Sequence, residues 1–329
     1  MKRLYKYVFI GLVVILLSAV VMSMYYYSRI KIDYNATRNQ PGTGNKKYHF
    51  SMIINNSESQ YWKQFKKGAM EACAQYDAAI EFHGIESAED IAATKEQMRI
   101  AVAARNDGVI INALDETSYT SDIEYLVQNG LLVLTTGVEA NSNESYYVGT
   151  NTYSYYQEAA RLVIQSAGES AKIAIIADNT ISEISGFSRE IQAHYGAEVV
   201  VVKKTSSHLI GAEDVVQSIL DEYPQVNAIF CMTPEDTMAA AQAIIDRNRV
   251  GEVVVTGTDL TATSSVQKYI ERNIIYGYIE RNPRDIGYQS VVALCNAASG
   301  KFQPEYEDID LDVVTKYNID QYDNDEEND

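Results

Sequence analysis

From residue 47 onward, short apolar runs rich in β-branched residues alternate with longer amphipathic stretches. Strand-like runs cover 48–54, 79–84, 108–112 and 131–135, and helix-like stretches at 60–76, 90–105 and 120–129 lie between them. A second series repeats the rhythm, with strands at 172–177, 198–203, 228–232 and 253–256 and helices at 153–167, 185–194, 212–222 and 235–248. Runs such as Gly108-Val109-Ile110-Ile111 and Ala171-Lys172-Ile173-Ala174-Ile175-Ile176 have the apolar density of strands buried on both faces. Parallel sheets covered by helices produce that pattern. Two consecutive series of more than 100 residues predict an α/β protein of two similar doubly wound lobes. Ligands of such sheets bind beyond the carboxyl ends of the strands, so two lobes facing each other make a cleft.

The N-terminus breaks the rhythm. Lys2, Arg3 and Lys6 precede 22 uncharged residues, 7–28, which as a helix span roughly 33 Å, enough for the hydrocarbon layer. Tyr5 and Tyr7 at one end and Tyr25, Tyr26 and Tyr27 at the other suit the two interfaces. Residues 1–30 are therefore expected to be a transmembrane anchor with everything after them outside the cytoplasm, although Arg29 and Lys31 weaken the charge asymmetry. A cleaved signal peptide competes, because Val21-Met22-Ser23 offers a small residue before a cut. The length of the apolar stretch favours the anchor. Residues 31–46 carry Asn35, Asn39, Pro41, Gly42 and Gly44 and read as a tether. The last ten residues hold six acids and no base, and 318–329 is expected to be a solvated tail.

Composition narrows the partners. A formal net charge of −18 argues against nucleic acid, whose phosphates need Lys and Arg to displace counterions. Cys73, Cys231 and Cys295 are far apart among apolar neighbours, and the four histidines show no ligand spacing, so neither metal nor any other cofactor is expected. No Gly-x-Gly-x-x-Gly, Gly-x-Ser-x-Gly or Walker loop occurs, and Ser265-Val266-Gln267-Lys268 lacks the companions of a Ser-x-x-Lys site. The chain offers no catalytic machinery and is not read as an enzyme.

A family resemblance sharpens the picture. Ser59-Gln60-Tyr61-Trp62-Lys63-Gln64-Phe65-Lys66-Lys67-Gly68-Ala69 resembles the opening of ribose-type periplasmic binding proteins, where two aromatics precede a helix containing Gly-Ala. Asp107-Gly108-Val109-Ile110-Ile111-Asn112-Ala113-Leu114-Asp115 looks like the family's DGIIINPxD, and Val148-Gly149-Thr150-Asn151 like its first crossing between lobes. Asn227-Ala228-Ile229-Phe230-Cys231 is similar to its DAVFAxN, and Val255-Thr256-Gly257-Thr258-Asp259 to its VVGFD. Five such matches in order, over residues 47–317, identify the chain as resembling periplasmic binding proteins of type I. The resemblance implies non-contiguous lobes, 47–149 with 282–308 and 150–281 with 309–317, joined by crossings near Thr150, Asn282 and Asp308. It also implies an extracytoplasmic receptor that closes on a sugar or sugar-like molecule for an ABC permease. An alternative is a sensing subunit that reports occupancy to a membrane histidine kinase.

The resemblance puts Tyr61, Trp62, Asn151, Asp259 and Arg281 at the ligand. Tyr61 and Trp62 would stack on apolar sugar faces, or plug the core beneath a loop. Asp259 would accept hydroxyl hydrogen bonds, or cap the next helix, a role open to Thr261 as well. Trp62 and Asp259 are expected on opposite walls. Asn151 and Arg281 lie at crossings, with a helix cap and a surface charge as the plainer alternatives. The chain departs from the family at Thr136-Gly137-Val138, Ile181-Ser182-Glu183, Thr233 and Ser206-Ser207-His208. Most of the charged sugar clamp is thereby missing, and pentose specificity does not carry over.

Overall fold

The computed structural model describes residues 46–55, 59–85, 90–113, 115–178, 184–205, 209–260 and 262–322. Residues 1–45, and with them the expected anchor and nearly all of the tether, lie outside the described residues, as do 179–183, 206–208 and 323–329. Among the described residues no helix is long and apolar enough to cross a membrane.

Two six-stranded sheets organise residues 48–315. The first uses β1 (Tyr48–Asn55), β2 (Ala78–Ile85), β3 (Gly108–Ala113), β4 (Leu132–Gly137), β5 (Tyr146–Gly149) and β11 (Tyr306–Asp308). Its order is β11-β5-β4-β3-β1-β2, parallel throughout. The second uses β6 (Lys172–Asp178), β7 (Glu198–Thr205), β8 (Ala228–Cys231), β9 (Val254–Thr258), β10 (Ile275–Glu280) and β12 (Asp312–Thr315), ordered β12-β10-β9-β8-β6-β7. Only β12 runs antiparallel, against β10. The helices of the first lobe are α1 (Gln60–Gln75), α2 (Ile91–Ala103), α3 (Thr120–Gln128) and, returning late in the chain, α9 (Pro283–Ala298). Those of the second are α4 (Thr152–Ala167), α5 (Ser185–His194), α6 (Leu209–Glu222), α7 (Pro234–Asp246) and α8 (Ser264–Glu271).

The strands read as apolar on both sides because both sides are covered. In β6, Ile173, Ile175 and Ala177 face one core cluster and Ala174 and Ile176 the other. In β1, Phe50, Met52 and Ile54 face the α1–α9 layer while Ile53 faces the α2–α3 layer. Each lobe is thus helix on sheet on helix. Phe187 of α5 and Phe230 of β8, whose rings stack at 4.7 Å, are fully buried between helix and sheet, a contribution of about 1.5–3 kcal/mol each.

Helix α9 is fastened to the first lobe by two glycines. A Cβ on Gly68 of α1 would come within 1.8 Å of the Arg284 carbonyl, and one on Gly287 of α9 within 2.1 Å of the Phe65 carbonyl. The helices therefore touch backbone to backbone, an approach that any larger residue blocks.

Three crossings join the sheets, at Thr150–Asn151, at Arg281–Asn282 and between β11 and β12. They are tied sideways. The Asn151 N–H donates to Asp308 (2.7 Å) and its Nδ2 to the Tyr306 hydroxyl (3.1 Å). Asn282, in left-handed conformation (φ 52°), donates from Nδ2 to the Asp310 carbonyl (2.9 Å) and to Asp312 (3.2 Å). The expected tail needs correction at its start. Residues 319–321 form a short 3-10 turn, and Ile319, at 2% exposure, anchors it in the second core. Tyr322 packs on the same core, and the Asn318 side chain bonds the Val313 carbonyl and the Thr315 N–H.

Candidate functional site

The site grows from the carboxyl ends of β9 and β10. Asp259 directly follows β9 in left-handed conformation (φ 50°), a geometry that Asp tolerates better than most residues. Its N–H donates to the Ile279 carbonyl at 2.8 Å, which pins it beside the end of β10. The helix cap considered for it belongs instead to Thr263, whose hydroxyl accepts from the Val266 N–H. Thr261 lies outside the described residues.

The Asp259 carboxylate is committed to Arg281. One oxygen accepts the Arg281 N–H at 2.9 Å and the other accepts Nε at 2.6 Å, with Nη2 closing the fork. Burial opposes the Arg281 charge, yet Asp259 and the neighbouring Tyr61 hold its pKa above the ordinary range. The guanidinium lies over the Tyr61 ring at 4.9 Å and over the Tyr155 ring at 5.8 Å, a cation–π arrangement. Tyr155 hydrogen-bonds the Thr258 hydroxyl at 2.9 Å. Burial, countered in part by Arg281, pushes the Tyr61 phenol up to about 12.

Tyr61 reaches this group from the other lobe. Ser59 caps α1 by accepting the Trp62 N–H, and the first helical turn then aims consecutive side chains about 100° apart. Tyr61 faces Arg281, whereas Trp62 turns inward at 7% exposure, edge-on to Tyr61 and against Phe65. Of the two rings, Tyr61 is the one opposite Asp259, and Trp62 backs it from within the core. Asn151 sits elsewhere, as N-cap of α4 and tie between crossings; its Oδ1 accepts the Ser154 N–H at 3.0 Å. The helix cap is thus its observed contact. Tyr61, Asp259 and Arg281 come together, while Trp62 and Asn151 do not join them directly.

A cavity of about 580 Å³ opens beside this group, between the α1–α9 layer of one lobe and the ends of β9 and β10 of the other. Tyr61 and Asp259 form part of its wall, with Glu280, Tyr278 and Tyr322. Its size is that of a small-molecule site. Tyr155 belongs with Tyr146, Tyr147, Tyr153 and Tyr156, which crowd one crossing in the sequence, as a pocket wall or as surface aromatics, whereas Thr258 and Glu280 had not stood out as site residues. A polar residue ending an otherwise apolar strand, as Glu280 does in Ile275-Tyr276-Gly277-Tyr278-Ile279-Glu280, is the signal that marks such positions. The departures at Ile181-Ser182-Glu183 and Ser206-Ser207-His208 lie outside the described residues. Thr233 caps α7 and, with Thr205, donates to the fully buried Asp236 at 2.8 Å each.

Residues 50–302 match the periplasmic binding protein domain. This chain belongs to that family. Among curated periplasmic binding proteins, the D-allose-binding periplasmic protein of Escherichia coli K12 is 21% identical over 287 residues, covering 81% of this chain and 92% of its own length. Among solved structures, GanP, a glucose-galactose binding protein from Geobacillus stearothermophilus, matches with a TM-score of 0.75 at 23% identity, over 82% of this chain and 98% of GanP. The XylFII-LytSN complex matches at 0.74 and 25% identity, over 82% and 98%. The two parallel-sheet lobes joined by three crossings are the type I architecture of periplasmic binding proteins. Members of this family bind solutes, and the open ends of the two sheets, facing across Tyr61 and Asp259, are where that fold offers room for one.

Proposed function

We infer that this chain is an extracytoplasmic receptor, held at the membrane by residues 7–28, that closes its lobes on a sugar or sugar-like molecule for ABC-type uptake. The observation that carries the reading is the meeting of Tyr61 from one lobe with the Asp259–Arg281 pair from the other, beside a cavity of ligand size. An aromatic face and a fixed carboxylate–guanidinium fork are complementary to a sugar, which has apolar C–H faces and hydroxyls around its rim. Tyr61 supplies the stacking surface with Trp62 as its support. Asp259 and Arg281 supply acceptors and donors, and Asn151 sets the crossing about which closure turns. The relatives that bind D-allose or glucose and galactose support a carbohydrate ligand.

The test is mass spectrometry of the small molecule carried by the full chain through native purification, followed by calorimetry with that compound. A sugar lost on Asp259→Ala supports the reading, and a non-carbohydrate overturns it.

A second reading rests on the XylFII-LytSN complex, in which a protein of this fold is held by a second protein. On that reading the chain is the sensing subunit of a membrane kinase. Cross-linking in native membranes separates the two, by capture of a permease or of a kinase.

A further inference from the structure

Among the described residues, Glu280 and the exposed Asp285 are the carboxylates of the hinge cavity that no basic side chain binds. Four acids contribute to the wall: Glu71, Asp259, Glu280 and Asp285. Glu71 is bound by Arg284 at 2.7 Å and Asp259 by the Arg281 fork, while Asp285 accepts from Gln289 at 3.3 Å. Glu280 has the backbone N–H of Asn282 as its donor. Arg281 is adjacent in sequence, but its guanidinium is turned to Asp259. Across the sheet, Glu280 is paired directly with Asp312, and like charges placed opposite each other repel. Asp312 satisfies itself with Asn282 and Tyr322. Glu280 is half-buried and lines the cavity.

We propose that this cavity is an ammonium subsite in which Glu280 is the counter-ion, so that the ligand closed between the lobes is an amino sugar. The proposal rests on the sugar-binding reading above. Three features favour an organic ammonium over a metal ion. Among the described residues no three acidic, His or Cys side chains gather closely enough to hold a metal. Tyr61 and Tyr322 line the cavity, and aromatic rings attract ammonium groups. Gln60 and Gln64, on the first turns of α1, offer amide oxygens, while an ammonium group presents three donors. Burial, then Asp259, raise the Glu280 carboxyl well above its usual range, with Asp312 adding to them against the lowering effect of Arg281. An ammonium group favours the charged form of that carboxyl, so amine binding is linked to release of whatever proton the carboxyl carries in the empty site.

The experiment titrates the full chain calorimetrically with D-glucosamine, D-galactosamine and D-mannosamine, and with D-glucose, D-galactose and D-mannose as neutral counterparts. An ionic hydrogen bond in an enclosed site predicts a preference of about tenfold to a hundredfold for the amine of a pair. Buffers of different ionisation enthalpy should report a proton released with the amine and none with the neutral sugar. Glu280→Gln should erase both the preference and the release, and Glu280→Asp should retain part of each, with melting temperatures confirming that both variants fold. Neutral sugars binding as well as their amines, or a preference that survives in Glu280→Gln, overturns the proposal and leaves the sugar reading standing. Failure of all six sugars to bind overturns the proposal, while the sugar reading is decided separately by the co-purified molecule.

Discussion

Removing either end of the Asp259–Arg281 pair should damage the protein unequally. Breaking a buried pair at one end costs about 3–5 kcal/mol, because the survivor keeps an uncompensated charge. The two survivors here differ. The Asp259 side chain is 3% exposed, whereas that of Arg281 is 37% exposed. In Asp259→Ala the guanidinium can turn toward water and keep its place over Tyr61, which reduces the loss to about 1–3 kcal/mol. In Arg281→Ala the carboxylate has no such outlet, and the full 3–5 kcal/mol applies at neutral pH. Scanning calorimetry of the full chain, of both single variants and of the double variant at pH 7 reads this directly. Each kcal/mol corresponds to about 2–4 °C, so Arg281→Ala should melt several degrees below Asp259→Ala. The double variant should recover part of the sum, with a coupling of about 1–3 kcal/mol. Equal melting of the two single variants, or strict additivity in the double, would refute the placement of Asp259 in a buried, singly partnered site.

Other outcomes follow from single contacts. Because the folded Glu280 carboxyl is raised from 4.5, its contribution is complete below that value and is lost as pH rises through the folded pKa. Glu280→Gln should therefore melt higher than the wild type at pH 7, with the difference closing by pH 4, as followed by circular dichroism. Gly68→Ala puts a methyl into the Arg284 carbonyl; forcing α1 from α9 should cost about 1–3 kcal/mol in thermal melts, and an unchanged melting temperature would contradict the backbone contact. Tyr155→Phe leaves the Thr258 hydroxyl unpaired and should cost about 1 kcal/mol, whereas Tyr155→Phe with Thr258→Val should cost less. N-terminal sequencing of the membrane-extracted chain should begin at residue 1; a mature start near Met24 would remove the anchor.

The fold was legible wherever a strand is long and covered on both faces. The runs at 108–112 and 172–177 are β3 and β6, one residue short of their ends. The short strands were harder to read, for a reason visible in their chemistry. β5 is four residues beside a cluster of tyrosines, and β11 is Tyr306-Glu307-Asp308, whose polar side chains suit an edge. Pairing places them, and one-strand periodicity carries no pairing information. Within the site, Asp259 was legible at a strand end and Arg281 only through the crossing that the family resemblance implies, and their bond joins residues 22 apart through two adjacent strands. The division of labour between Tyr61 and Trp62 was open to sequence reasoning, since neighbours on a helix cannot face the same way. Glu280 carried no family signal, and its meaning comes from Asp312 across the sheet.

The position of β11 sets a timetable for assembly. β5 is an edge strand of the first sheet until residues 306–308 arrive to pair with it, with Tyr147 and Tyr306 stacking at 5.0 Å. Helix α9, which covers Phe50 and Met52, is equally late. At a synthesis rate of about 5–20 residues per second, the 48–149 segment waits on the order of 10–30 s for its last strand. During that interval it presents an open edge and a bare apolar face, the features that recruit holding chaperones and invite mispairing. The same interleaving that builds the three crossings thus makes completion of the first lobe wait until the second has been almost entirely synthesised.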